Sequence, residues 1–223
     1  MSEKIIANLD EINLQDFVLV DVRSKADYER EHAEGARWFY MGEGQGLLKL
    51  ETDPTQPIRA ADFEKRMGEI GIKNSDKLLV YDAGTDSRAA SRFWYIAKHY
   101  GHAEVYILNG GYTQAKLIGV GSKPADFLPC EYMAAVTEGY TYSMPQMLAN
   151  YKDIVKLDVR SKEEYSGGDL RGNPRGGHMP NAIWLPFDSL INPHPARSFA
   201  DAEDIIKITQ ERGIGINDTI ATY

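Results

Sequence analysis

The stretch VLVDVRSKADYERE (18–31) returns in the second half of the chain as IVKLDVRSKEEYSG (154–167), with Asp-Val-Arg-Ser-Lys repeated letter for letter. Two more blocks follow in the same order. HAEGARWF, from His32, is answered by HMPNAIWLP, from His178, and GIKNSDKLLVY (71–81) is answered without a gap by GIGINDTIATY (213–223). Three ordered matches restrict the fold more than any other property of the sequence, because they require two copies of one domain. The stretch KPADFLPCEYMAAVTEG (123–139) carries two prolines and reads as a linker. This gives a first domain over 1–123, a linker over 124–139 and a second domain over 140–223, each copy near the usual domain size of about 100 residues.

Within a copy, strand and helix patterns alternate. Residues 17–21 and 78–81 are short apolar runs suited to buried strands, and 105–108 is a third, closed by the Asn109-Gly110-Gly111 turn. Between them, Phe63, Met67 and Ile70 recur at helical spacing. Ala89, Ala90, Phe93, Trp94, Ala97 and Tyr100 form one broad apolar face over 87–100, with Asp86 as the expected N-cap. Residues 219–223 have the β-branched and aromatic character of a buried strand. The alternation predicts an α/β fold with a central, mostly parallel sheet flanked by helices.

Charge and cysteine content narrow the function. The 223 residues carry a net charge of −8, with acids and bases interspersed, so no basic face exists for a nucleic-acid partner. No apolar run approaches the roughly 20 residues of a membrane span, and the N-terminus lacks the regions of a signal peptide. The cytoplasm is the expected compartment. A single cysteine, Cys130, excludes an internal disulfide and any Cys-x-x-Cys pair. It lies in the linker, away from any strand-to-helix turn, and is expected to be inert. GEGQG (42–46) follows no clear strand of a βαβ unit and is set aside as a nucleotide loop.

The segments DVRSKADYEREHAEGA, LLVYDAGTDSRAASRFWYIAKHYGHAEVYILNGGY and LDVRSKEEYSGGDLRGNPRGGHMPNAIWLPF together span nearly the whole chain. They resemble the tandem-domain rhodaneses, the thiosulfate and 3-mercaptopyruvate sulfurtransferases. The resemblance implies two three-layer domains and a sulfane sulfur carried from a small anionic donor to a thiol or cyanide acceptor. A cysteine persulfide is the intermediate, with no cofactor and no metal. In that family the cysteine follows a core strand in a loop opening onto a helix, where backbone N–H groups and the helix N-terminus favour an anion.

In the first copy that position is Asp82, a carboxylate that is a poor nucleophile towards sulfur, so this half is expected to be catalytically silent. In the second copy Tyr81 corresponds to Tyr223, which places the nucleophile just after Tyr223. The second domain is then incomplete, and a whole protein would run to roughly 265 residues. The 223-residue chain itself is expected to be inactive.

Features shared by a silent and an active copy are likelier to serve the fold. Arg23 and Arg160 suit local ion pairs with carboxylates, and His32 and His178 suit turn histidines bonded to backbone. The insertion YSGGDLRGNPRGGH is peculiar to the second copy. Its Arg171 and Arg175, together with Arg160, are the candidate contacts to the anionic donor, and Arg175 is the better match to the family's donor-binding arginine. Glu164 would repel a carboxylate donor, which tilts the choice towards thiosulfate. A non-catalytic rhodanese-homology protein that binds or regulates a partner is the alternative, and a phosphatase-like relative is a third.

Overall fold

The computed structural model describes residues 5–42, 48–50, 53–193 and 198–223. It divides into two compact units, Met1–Thr141 with Pro193–Ser198 and Tyr142–Asn192 with Phe199–Tyr223. Unit 1 contains, in chain order, β1 (Ile6–Ala7), β2 (Phe17–Asp21), α1 (Lys25–Arg30), β3 (His32–Ala33), β4 (Arg37–Trp38), β5 (Lys49–Leu50) and β6 (Asp53–Pro57). It continues with α2 (Ala60–Glu69), β7 (Lys77–Tyr81), α3 (Arg88–His99), β8 (Val105–Leu108), α4 (Gly111–Ala115) and β9 (Val120–Gly121).

Five strands form a parallel sheet in the order β1-β8-β7-β2-β4. Its centre, β7, is buried from Leu78 to Tyr81, which explains a continuous apolar run where a half-exposed strand would alternate. Leu79 and Tyr81 join Ala7, Leu19, Ala33, Ala36, Leu108 and Ala115 in one core cluster. Leu78 and Val80 point the other way. On the helical layer, Phe39, Phe63 and Phe93 gather with ring centroids 4.8–6.3 Å apart. Phe63 and Met67 of α2 are buried at the expected spacing. In α3 the buried residues are Ala90, Phe93, Ile96 and Ala97.

One local expectation is corrected. The N-cap position of α3 is Ser87, in a left-handed conformation (φ 55°, ψ 12°), rather than Asp86. The Asp86 carboxylate instead accepts from the Arg88 N–H at 3.1 Å, so the acidic side chain still serves the first helical turn from one residue further out.

Residues read as a linker lie along unit 1. The Cys130 N–H donates to the Gly68 carbonyl (3.0 Å), the Ala135 N–H to the Tyr100 carbonyl (3.1 Å) and the Thr137 N–H to the His99 carbonyl (2.7 Å). Asn74 closes on both backbone groups of Met133, at 2.6 and 3.0 Å. A Cβ on Gly68 would sit 2.5 Å from the Cys130 oxygen, so only glycine permits this approach. Tyr132 is buried against His102. The His102 Nε2–H donates to the Asp76 carbonyl (2.8 Å), which leaves Nδ1 to accept from the Tyr132 hydroxyl (2.9 Å). Cys130 is half-buried with its Sγ 3.1 Å from the Ile72 carbonyl oxygen.

Unit 2 contains α5 (Met144–Ala149), β10 (Val155–Asp158), α6 (Lys162–Ser166), β11 (Ile183–Trp184), α7 (Ala202–Gln210) and β12 (Ile220–Thr222). Its sheet, β11-β10-β12, is parallel throughout. The register matches the β4-β2-β7 part of unit 1: Asp158 lies opposite Trp184 as Asp21 lies opposite Trp38, and Leu157 opposite Thr222 as Val20 opposite Val80. The core is small, with Leu157, Leu185 and Ile214 buried.

Here the terminal strand departs from expectation. Ala221 is buried, but Ile220 is 41% exposed and Thr222 is exposed. β12 forms a sheet edge, whereas β7 is flanked by β8 and overlaid by α3. A strand of buried composition is thus left uncovered on that side among the described residues.

Candidate active site

The loop from Asp82 to Ser87 connects the end of β7 to α3. Asp82 is 5% exposed. One carboxylate oxygen accepts from the Gly84 N–H (2.9 Å) and the other from the Ala90 N–H (3.1 Å). Burial pushes the carboxyl above its ordinary range, and the Gly84, Ala90 and Ala89 N–H groups offset only part of that. The loop therefore points N–H groups at the side chain of its first residue, an arrangement suited to an anion. An open cleft of ≈ 580 Å³ lies over it, with Arg23, Lys25, Trp38, Tyr40, Asp82 and Asp86 among its lining residues.

Beneath the loop, Arg23 is fixed by Asp21. Its Nε and Nη2 reach the carboxylate at 3.0 and 2.6 Å, and Nη2 also donates to the Glu31 carbonyl at 2.8 Å. Desolvation opposes the guanidinium charge, but the Asp21 partner outweighs it and raises the pKa. The Tyr81 hydroxyl donates to Asp21 (2.8 Å) and receives the Ala33 N–H (3.2 Å). His32 stacks on Tyr28 at 3.9 Å, its Nδ1–H donating to the Tyr28 carbonyl at 2.7 Å, and the Trp38 indole donates to the Arg23 carbonyl at 3.0 Å.

Unit 2 repeats the main contacts of this framework. Arg160 donates to Asp158 through Nε (3.0 Å) and Nη2 (2.5 Å), and to the Gly177 carbonyl at 2.9 Å. His178 stacks on Tyr165 at 3.8 Å and donates to its carbonyl at 2.9 Å. The Trp184 indole donates to the Arg160 carbonyl at 3.1 Å. The Tyr223 hydroxyl receives the Met179 N–H at 2.9 Å and bonds Asp158. Burial would raise the Asp158 pKa, but the Arg160 hydrogen bonds overcome it and hold the carboxyl below its ordinary range. Tyr223 thus stands where Tyr81 stands.

The three candidate arginines are in different circumstances. Arg160 is engaged by Asp158 and Gly177 as described. Arg171 has φ 47° and gives its charge to Glu164 (3.3 Å) and Asp169 (3.2 Å). Arg175 is exposed and has no ion pair or hydrogen bond among the described residues. The insertion closes on itself where a Cβ on Gly176 would meet the Gly167 carbonyl oxygen at 2.7 Å. Glu164 is occupied too, as the reciprocal half of a capping box with Ser161.

The sequence reading missed the tyrosine-to-aspartate link. Its signal was the identical position of Tyr81 and Tyr223 at the ends of matching strands. Among the described residues no His, Cys, Asp and Glu cluster could hold a metal, and no helix is long and apolar enough to cross a membrane. Of GEGQG, residues 43–46 lie outside the described residues.

Comparison with known proteins agrees with this geometry. The family model described as "Rhodanese-like domain" matches residues 2–117. A provisionally named thiosulfate sulfurtransferase of Mycolicibacterium smegmatis is 31% identical over 227 residues, covering 92% of this chain and 75% of the relative. One of Haloferax volcanii, also provisionally named, is 29% identical over 237 residues, covering 96% and 78%. Among solved structures, SseA of Escherichia coli, described as a 3-mercaptopyruvate sulfotransferase, superposes with a TM-score of 0.80 at 19% identity, covering 99% of this chain and 88% of that one. The 3-mercaptopyruvate sulfurtransferase of Leishmania major gives 0.74 at 20% identity, covering 98% and 65%. With a matching family model over half its length and these relatives across nearly all of it, the chain belongs to the rhodanese family.

Proposed function

We propose that this chain is the greater part of a tandem-domain sulfurtransferase whose nucleophile is a cysteine immediately after Tyr223. The observation that carries the reading is the coincidence of two frameworks: Asp158, Arg160, Tyr165, His178, Trp184 and Tyr223 repeat the contacts of Asp21, Arg23, Tyr28, His32, Trp38 and Tyr81. In unit 1 the residue that follows this framework sits in an anion-favouring loop. The same loop after Tyr223 would hold a thiolate and then a persulfide.

The thiolate attacks the sulfane sulfur of thiosulfate, forming the S–S bond of the persulfide as sulfite leaves with the electron pair. Cyanide or a thiolate acceptor then takes the terminal sulfur and returns the enzyme thiolate. Unit 1 does not take part, because Asp82 is a carboxylate with no sulfur nucleophilicity. Arg175 supplies the unpaired positive charge for the donor. Arg171, spent on Glu164 and Asp169, and Arg160, spent on Asp158, shape the loop that carries it. Neutralisation of Glu164 by Arg171 removes part of the repulsion that would disfavour 3-mercaptopyruvate, so both anions remain candidate donors. The reaction needs no cofactor, and the cytoplasm is its proposed compartment.

The test is thiocyanate formation from thiosulfate and cyanide. Residues 1–223 alone should form none, and the protein continued through its natural reading frame should form it. Activity in the shorter chain, or none in the longer one, would favour the non-catalytic binding alternative or another nucleophile.

A further inference from the structure

We propose that His32 is a proton-dependent clasp for the connecting segment: as a doubly protonated imidazolium it bridges the Tyr28 and Lys123 carbonyl oxygens, and loss of one proton frees the chain at 123–125 from unit 1. The ring is fully buried. Its Nδ1 lies 2.7 Å from the Tyr28 oxygen and its Nε2 lies 2.9 Å from the Lys123 oxygen. A carbonyl oxygen only accepts, whereas a neutral imidazole carries one N–H and one lone pair. In the neutral ring, whichever nitrogen kept the lone pair would face a carbonyl lone pair at hydrogen-bond distance, the costly arrangement for a buried polar atom. The imidazolium, with a donor on each nitrogen, satisfies both carbonyls. It also lies flat on Tyr28, with ring centroids 3.9 Å apart and planes 12° apart, a placement that draws a cation to an aromatic face.

Tyr28 ties the same stretch of chain. Its hydroxyl donates to the Ala36 carbonyl (2.9 Å) and receives the Ala125 N–H, so histidine and tyrosine together hold residues 123–125. Unit 2 has the stack without the clasp: His178 donates through Nδ1 to the Tyr165 carbonyl, but it is exposed and its Nε2 has no partner among the described residues. The second bond of His32 therefore serves the connecting segment and not the shared framework. Among the described residues no carboxylate pairs with the His32 ring. Of the charged and titratable groups on the elements packed against it, Arg23 and Tyr81 are spent on Asp21, Asp27 pairs with Arg30, and Lys25 pairs with Glu29. Glu31 and Glu34 flank the histidine along the chain and are exposed, and Tyr112, Lys116 and Lys123 complete the set. At Tyr132 the segment relies on the opposite state, since His102, beside Asp76, Lys98 and Glu104, accepts there through Nδ1. Acid thus loosens the contact at Tyr132, and alkali the one at Lys123.

Nitrogen-15 NMR of the histidine rings of the 223-residue chain, followed together with amide hydrogen exchange, tests this. At about pH 7.5, where free imidazole is mostly neutral, both His32 nitrogens should carry a proton. As the pH is raised further, the second proton should leave His32, and the Ala125 protection factor, corrected for the intrinsic exchange rate, should fall about tenfold in the same step, the loss of one charge-assisted hydrogen bond. His32→Asn should show a comparable loss of Ala125 protection already at about pH 7.5 and no further step above it. The two wild-type measurements decide the matter whether or not the variant folds. A His32 ring with a single protonated nitrogen at the starting pH, a deprotonation that leaves Ala125 protection unchanged, or a folded His32→Asn protein with wild-type protection would each overturn the proposal.

Discussion

A guanidinium fixed on a buried carboxylate occurs twice in this chain, and its cost of removal differs with burial. Arg23 and Asp21 have side chains 3% and 0% exposed, while Arg160 is 29% exposed over an equally buried Asp158. Arg23→Ala should therefore destabilise unit 1 by about 3–5 kcal/mol, the usual cost of leaving one buried charge unpaired. Arg160→Ala should cost less in unit 2, because water reaches the vacated site. Urea unfolding of the two variants measures the difference. Asp82 acts in the opposite sense. Its folded pKa lies above the unfolded value, so the native state binds more protons between the two and loses stability as pH rises through that window. Relative to wild type, Asp82→Asn should gain stability as pH climbs from about 4 and level off once the native carboxyl is ionised, as unfolding curves across pH 4–7 would show.

The segment over 124–139 is an element without regular secondary structure, yet backbone donors and close contacts hold it to unit 1. Gly68→Ala would drive a Cβ into the Cys130 carbonyl oxygen. The change should cost about 1–3 kcal/mol as an overpacked contact and expose the segment to proteases, read as faster cleavage within 124–139. The His102–Tyr132 pair responds to pH. Burial depresses the His102 pKa, so its contribution is complete above the unfolded value of about 6.5 and declines as pH falls towards the folded value. A shallower stability slope below pH 6.5 in His102→Asn checks this, with His99, depressed by burial and Arg92, contributing in the same direction and Asp82 in the opposite one. Little of this element was legible in the sequence. Two prolines and mixed polarity read as a connector, and its attachment depends on Gly68, Asn74 and Tyr100, far away along the chain. The strands at 17–21 and 105–108 were legible to the residue, because a sheet covered on both faces demands unbroken apolar runs. The start of α3 was not, because Ser87 adopts a left-handed conformation that no local pattern announces.

At the scale of the molecule, the two units share one framework and differ in what covers it. In unit 1 the strand carrying Tyr81 is the centre of five, with β8 beside it. In unit 2 the strand carrying Tyr223 is the edge of three and exposes Ile220. An apolar, unpaired edge of this kind invites association. On the proposed reading, a helix and strand corresponding to α3 and β8 cover it and follow the loop that carries the nucleophile. The repeat made this correspondence legible from the residues alone, since GIGINDTIATY aligns with GIKNSDKLLVY without a gap. What the structure adds is the shared register and the shared tyrosine-to-aspartate contact. The most direct test is peptide mass spectrometry of the naturally continued protein after incubation with thiosulfate. The expected result is a cysteine directly after Tyr223 that carries one additional sulfur atom, removed by cyanide. A different residue at that position, or a cysteine there that never acquires the sulfur, would contradict the proposed mechanism.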